Sequence, residues 1–393
     1  MRLASRMDRI GTETAFEAAA RARALEATGR SVIHLEIGEP DFDTPSTIRE
    51  AAKRALDRGA THYTSTVGIP ELRAAIAADA TARKHFAVSP DRVVVAPGGK
   101  PVMFFTMLAL IEEGDEVIYP DPGFPIYESM TRFAGGTPMP YALREENDFR
   151  FDPDELRALV TPRTKLIIFN SPHNPTGGVL TREDITAIAD IARERDITVM
   201  ADEIYGRGIF EGEHVSIATL PGMMERTIVL DGFSKAWAMT GWRLGFAILP
   251  PALVDPFSKL IINSVSCTSS FEQMAAVEAL NGPQDAVKAM VEEFRARRQL
   301  IVDGLNAIPG IRCRMPHGAF YVFPNVSGTG MNGTQMADRL LYDGGVCTLS
   351  GTAFGQVGKD HIRISYANSQ ANLKLALERI GEVVAKTPAG APA

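Results

Sequence analysis

The chain has 393 residues, 45% of them hydrophobic and 23% charged, which is too long for one compact core and too apolar for disorder. Its net charge of −7, from 41 Lys+Arg against 48 Asp+Glu, argues against a general nucleic-acid binder, so an anionic ligand would need a local basic site. Three scattered cysteines, Cys267, Cys313 and Cys347, argue against a disulfide frame or a zinc site and read as buried thiols in a reducing compartment.

The opening segment MRLASRMDRIGTETAF lacks the apolar core of a signal peptide. The longest apolar stretches, such as residues 102–111, are too short and interrupted to span a bilayer. A soluble, cytoplasmic protein is the expectation. From about residue 90 to 250, short β-branched runs alternate with helical patterns. Val93–Ala96 reads as a strand, and PVMFFTMLALIEEG after it has helical spacing and a Gly stop. EVIYP, a helix over 126–133, TKLIIFN, a helix over Arg182–Arg195, ITVMADE, TIVLDGF and RLGFAIL follow. The strand cores VVVA, LIIF and TIVL are apolar on both faces, as in a mainly parallel sheet covered by helices on both sides. The fold class expected is therefore α/β.

After Pro250 the pattern changes. Helical stretches cover roughly 252–308, then FYVFP, VCTLSG and HIRISYA read as strands before a last helix near 370–385. This predicts a second, smaller α+β domain joined by the N-terminal segment. The expected division is 1–45 as an N-terminal arm and part of the small domain, 46–290 as the large domain and 291–393 as the small C-terminal domain. The Pro/Ala-rich tail KTPAGAPA is expected to fray.

The sharpest local pattern is Gly232-Phe233-Ser234-Lys235, followed by Gly241-Trp242-Arg243-Leu244-Gly245, just after the strand TIVLD. An ammonium at the end of a buried strand is costly to desolvate. A covalent role, as an imine to an aldehyde cofactor, would account for it, with Ser234 and Arg243 donating to a phosphate. The alternative is an exposed turn lysine beside a salt-bridged arginine. Ala201-Asp202-Glu203-Ile204-Tyr205 ends a second strand, placing a carboxylate and a phenol at one sheet edge. Asp is the usual partner of a protonated pyridine nitrogen in a cofactor that acts as an electron sink; a helix cap is the plainer reading. Asn170-Ser171-Pro172-His173-Asn174-Pro175-Thr176-Gly177-Gly178 ends a third strand in a rigid turn that presents an amide, with His173 as a packing residue. Pro97-Gly98-Gly99-Lys100-Pro101 leads into a helix, where free N–H groups and the dipole form an anion site. Neither G-x-x-x-x-G-K-[ST] nor G-x-G-x-x-G occurs, so a phosphorylated cofactor is favoured over a nucleotide.

These motifs, together with Gly38-Glu39-Pro40-Asp41-Phe42, Tyr63 ahead of Gly68-Ile69-Pro70-Glu71-Leu72-Arg73, and Ile362-Arg363-Ile364-Ser365, resemble in content and order the class I/II family of fold-type I pyridoxal 5′-phosphate (PLP) enzymes. The aspartate-aminotransferase-like group is the best match, over nearly the whole chain. The resemblance implies that Lys235 binds the cofactor aldehyde and then shuttles the substrate proton, and that Asp202 pairs with the pyridinium nitrogen. Tyr205 and Asn174 would bind the ring 3′-oxygen. Ser234, Arg243 and the backbone of Gly99 and Lys100 would hold the phosphate, and Phe124 would stack on the ring. Arg363 would clamp the substrate α-carboxylate, a bidentate task suited to a guanidinium, with the backbone of Gly38 and with Asn174. Lys100 matches a position that in one branch of the family meets a distal carboxylate, whereas Phe16, Phe124 and Trp237 suggest an apolar or aromatic pocket. Tyr63 would reach the phosphate of a neighbouring subunit, implying a homodimer with shared active sites.

The implied activity is a ping-pong aminotransferase acting on an amino acid and a 2-oxo acid, with aspartate, glutamate and 2-oxoglutarate favoured by Lys100. A PLP-dependent C–S lyase on the same scaffold is the alternative. A regulator fused to a DNA-binding module would need an added basic domain, whereas the family pattern starts by residue 38. A catalytically dead binding protein would be expected to lack one of Lys235, Asp202 and Arg363, and all three are present.

Overall fold

The runs that are apolar on both faces form the middle of the molecule in the computed structural model, which describes residues 1–386. Seven strands make one sheet: β1 (Val93–Ala96), β2 (Glu116–Asp121), β3 (Thr137–Ala142), β4 (Thr164–Asn170), β5 (Thr198–Asp202), β6 (Thr227–Gly232) and β7 (Gly245–Ile248). Their order is β1-β7-β6-β5-β4-β2-β3. Only β7 runs antiparallel to its neighbours; the pairs from β6 through β3 are parallel.

Side-chain alternation along these strands feeds two apolar layers. Leu166 and Ile168 pack with Val102 and Phe257, whereas Ile167 and Phe169 pack with Ile185 and Ile188. Leu166, Ile167 and Ile168 are fully buried, each contributing about 1.5–3 kcal/mol of transfer free energy. A parallel sheet sandwiched in this way leaves its carboxyl edge as the open crevice.

Sequence reading passes over β3, TPMPYA, because two prolines sit in it. The strand is the sheet's outer edge, where a residue without an N–H removes no ladder bond if it faces outward.

Beyond β7 come helices Pro251–Ser264, Ser270–Asn281 and Asp285–Asn306. A three-stranded antiparallel sheet, in the order Leu349–Ser350, Ile362–Ser365, Tyr321–Val322, follows with the last helix, Gln370–Ala385. Ile33–His34 pairs with Val346–Cys347, and Ile33 and Leu35 share an apolar cluster with Phe294, Ile301 and Ile380. Helix Asp285–Asn306 crosses position 290/291 unbroken, with Val287 in the large-sheet layer and Phe294 in the small one. The segment 387–393, most of the tail expected to fray, lies outside the described residues. Among the described residues no helix is long and apolar enough to cross a membrane.

One polar group is built into this core. Lys84, the last residue of helix Pro70–Lys84, has a side chain with no exposure and pairs with Glu203 and, at 3.1 Å, with Asp231. His214 and Ser216 complete the shell of Glu203 at 2.9 and 2.6 Å. Burial alone would raise the Glu203 carboxyl; the charges of Lys84 and His214 overcome it and hold it well below the usual range. Removing one member leaves uncompensated buried charge. Lys84→Met is therefore expected to cost about 3–5 kcal/mol in denaturant unfolding, and a loss under about 1 kcal/mol would contradict this reading of the cluster.

Candidate active site

At the carboxyl edge of the large sheet the strand ends release their side chains into one cavity of about 520 Å³. Gly99 and Lys100 arrive from the turn after β1, Phe124 from after β2 and Asn174 from after β4. Asp202 ends β5, Tyr205 lies in the turn after it, and Ser234 and Lys235 follow β6. Arg243 stands just before β7, whose Gly245 is paired with both Ala96 and Gly232. Gly38 and Arg363 close the cavity from the small layer. Of the residues singled out in sequence, Tyr63 lies elsewhere, 89% exposed at the surface. Trp237 also falls outside. Suggested as a pocket wall, it is instead buried in the apolar layer against Phe233, with Arg207 over its ring at 4.4 Å. Phe16 and Phe124 do line the cavity.

Lys235 is part-buried with no carboxylate paired to it among the described residues; its Nζ donates to the Gly38 carbonyl at 2.5 Å. Burial, opposed by Glu39 and reinforced by the charge of Arg363, lowers its pKa to about 8. Asp202 is 3% exposed and, among the described residues, has no cationic partner. It accepts from Tyr127 Oη at 2.6 Å and from the Ile204 N–H at 3.2 Å. Burial, aided by Asp231 and Glu203 and opposed by these two donors, raises its pKa to about 6. A buried carboxylate and a part-buried ammonium, each lacking a counterion among the described residues, would be poor structural elements and are instead the pattern of a reactive site.

Arg363 donates to Asn174 Oδ1 at 3.1 Å and to the Glu36 carbonyl, but its buried Nε has no partner. Asn174 is itself fixed, its N–H held by Asn170 Oδ1 at 2.8 Å. The Arg243 guanidinium lies against Gly98, where a Cβ would collide with it, and Gly98 has φ +99°. Gly98 caps helix Gly99–Leu110 without a side chain. A cation beside a helix N-terminus is repelled by the dipole unless an anion lies between them. This cradle, the orphaned Arg363 Nε, the unpaired Asp202 carboxylate and the unpaired Lys235 amine together fit a phosphorylated pyridine aldehyde and a substrate carboxylate.

Two further residues complete the geometry. Tyr127 supports Asp202, and Tyr321 Oη pairs with Tyr205 Oη at 2.7 Å while its ring lies 4.6 Å beneath the Arg363 guanidinium. Tyr321 also limits position 38 to glycine, since a Cβ there would strike its hydroxyl. No spacing signals a contact across 116 residues, so sequence reading leaves Tyr321 a strand residue. Tyr127, three residues after Phe124 at the start of a helix, is legible only as one helical turn. His173 is buried as anticipated; burial lowers its pKa to about 3, and Nδ1 lies 2.8 Å from Thr176 Oγ1.

The family model for aminotransferase class I and II matches residues 30–380. The chain is 41% identical to an aspartate aminotransferase of Pyrococcus abyssi, over 92% of this chain and 93% of that one. It is 40% identical to aromatic-amino-acid aminotransferase 2 of Thermococcus litoralis, over 90% and 92%. The crystal structure of the aspartate aminotransferase from Rhizobium meliloti superposes with a TM-score of 0.95 at 38% identity, covering 99% and 100%. The fold is thus that of fold-type I enzymes, and the chain belongs to the class I and II aminotransferases, PLP-dependent enzymes that move an amino group between an amino acid and a 2-oxo acid.

Proposed function

We propose that the residues lining the cavity divide a ping-pong transamination as the resemblance implies, and that the preferred substrates are dicarboxylic: aspartate, glutamate and 2-oxoglutarate. The observation that carries the assignment is a pair of groups without a counterion among the described residues, the buried Asp202 and the part-buried Lys235. When bound, PLP supplies an aldehyde carbon that takes the amino group and a pyridine ring that draws electrons from the bonds at the amino acid's Cα. With PLP bound, Lys235 would hold the aldehyde carbon through Nζ, and its amine, once released and with its pKa lowered by burial, would accept the Cα proton and return it. Asp202, kept in place by Tyr127, holds a proton on the ring nitrogen as an ion pair. Tyr205 and Asn174 bind the ring oxygen, Phe124 covers the ring, and Ser234, Arg243 and the Gly99 and Lys100 N–H groups bind the phosphate. Arg363, with Asn174 and the backbone of Gly38, fixes the α-carboxylate.

The proposal extends to a homodimer in which Tyr63 reaches the partner's phosphate site, an assignment supported by that ring's exposure on a surface loop. It also extends to the division 1–45, 46–290 and 291–393, and to a cytoplasmic location, in keeping with three unpaired cysteines.

Lys235→Ala is expected to give a folded protein that does not turn over. In the wild type, the rate of reconstitution with PLP should rise with pH and level off above about 8, because the neutral amine is the reacting form and burial depresses its pKa. Turnover of the variant at the wild-type rate without added amine would contradict the role.

Asp202→Asn keeps the shape and removes the charge, so Cα deprotonation, followed in single turnover, should slow by orders of magnitude. A loss below about tenfold, roughly 1.4 kcal/mol of barrier, would reduce Asp202 to a structural cap.

Lys100→Ala removes a charge-assisted contact of about 1.5–3 kcal/mol from a distal carboxylate but spares the backbone N–H. kcat/KM should fall about ten- to hundredfold for aspartate, glutamate and 2-oxoglutarate, and hardly change for alanine. Equal losses across an amino-acid panel would refute the substrate class.

A further inference from the structure

Lys100 does not stand free in the cavity. Its ammonium pairs with the carboxylate of Glu13, a residue 87 positions earlier in the chain. Glu13 occupies the cap position of helix Thr14–Glu26, where Ser, Thr, Asp or Asn is usual, and makes no capping bond. It is turned into the cavity instead, with its side chain 15% exposed against 47% for Lys100. The pair is bordered by aromatic rings: Lys100 Nζ lies 5.6 Å from the centroid of Phe16 and 5.8 Å from that of Phe124. Phe16 is 58% exposed, one helical turn after Glu13. Glu13, Phe16, Lys100 and Phe124 therefore form one wall of the substrate cavity.

The electrostatics of that wall differ for two kinds of substrate. A distal carboxylate arriving at Lys100 meets the like charge of Glu13 and must displace it. A neutral side chain leaves the Lys100–Glu13 pair intact, so no unpaired ammonium faces it, and finds apolar area on Phe16 and Phe124. Without Glu13, the half-exposed ammonium would lose its counterion, and a neutral substrate covering it would displace water without replacing that charge.

We propose that Glu13 is a specificity-determining residue: its carboxylate stands in on Lys100 for the substrate's distal carboxylate, so one cavity accepts both dicarboxylic and large apolar or aromatic amino acids. This rests on the reading that Lys100 meets a distal carboxylate, and it adds the counterion that tunes that contact.

The test uses the PLP-loaded enzyme and two unreactive probes that share one carboxylate for Arg363: succinate, with a distal carboxylate, and 3-phenylpropionate, with a distal ring. Affinities are read from the cofactor absorbance, alongside kcat/KM for aspartate and phenylalanine. Glu13→Gln should tighten succinate and weaken 3-phenylpropionate, changing the ratio of their affinities by about tenfold or more, the scale of one charge-assisted contact. Glu13→Ala, which cannot keep a hydrogen bond to Lys100, should move the ratio the same way. In a Lys100→Met background the Glu13 substitution should lose its effect on the ratio, because the two act as a pair. A ratio unchanged in both Glu13 variants, or moved toward 3-phenylpropionate, overturns the proposal. If Lys100→Met still weakens succinate in that case, the substrate reading survives and Glu13 alone is excluded. If Lys100→Met leaves succinate binding unchanged, the reading of Lys100 fails and the role of Glu13 falls with it.

Discussion

A part-buried ammonium and a buried carboxylate stand at the same sheet edge without a counterion among the described residues, and the rest of the site is arranged around that cost. Lys235 and Asp202 are the last groups delivered by β6 and β5, adjacent parallel strands that cannot move independently of the packed layers on either side. Each has a pKa displaced toward neutrality by burial, Lys235 down to about 8 and Asp202 up to about 6. Uncompensated in this way they are a liability to the fold. With a cationic ring nitrogen for Asp202 and a covalent carbonyl partner for Lys235, the liability disappears, so cofactor binding and fold stability are linked.

The contrast with Lys84, Glu203 and Asp231 makes the point sharper. That cluster is as deeply buried, and it includes the residues that directly follow Asp202 and precede Gly232, yet its charges are paired and its acceptors satisfied. Buried charge alone does not mark the active site; buried charge without a partner does. By the same criterion Arg363, which makes no ion pair among the described residues and donates only to Asn174 Oδ1 and the Glu36 carbonyl, belongs with the reactive groups. Arg297, equally buried but paired with Asp41 and Glu293, does not.

What sequence made legible follows from the range of the interactions. The central strands could be read because burial on both faces writes itself into consecutive residues, as in VVVA and TIVL. The residues around Lys235, Asp202, Asn174 and Gly99 could be read because each sits in a short motif at a strand end. Contacts that join distant segments left no such mark. Tyr321 meets Tyr205, and Glu13 meets Lys100, through the tertiary fold alone. The prolines of β3 obscured a strand that only its edge position permits. Trp237 was misassigned to the pocket because proximity in sequence to Lys235 does not say which side of the turn a ring packs on, and the apolar layer beside Phe233 claimed it.

The central claim, that Lys235 carries the cofactor because its part-buried amine has no counterion among the described residues, is tested most directly by trapping the attachment. The PLP-loaded protein is reduced with borohydride, digested and mapped by mass spectrometry. The account predicts a single stoichiometric pyridoxyl group on the peptide that contains Lys235. A label on Lys100 or another lysine, with Lys235 unmodified in a protein that still turns over, would contradict it.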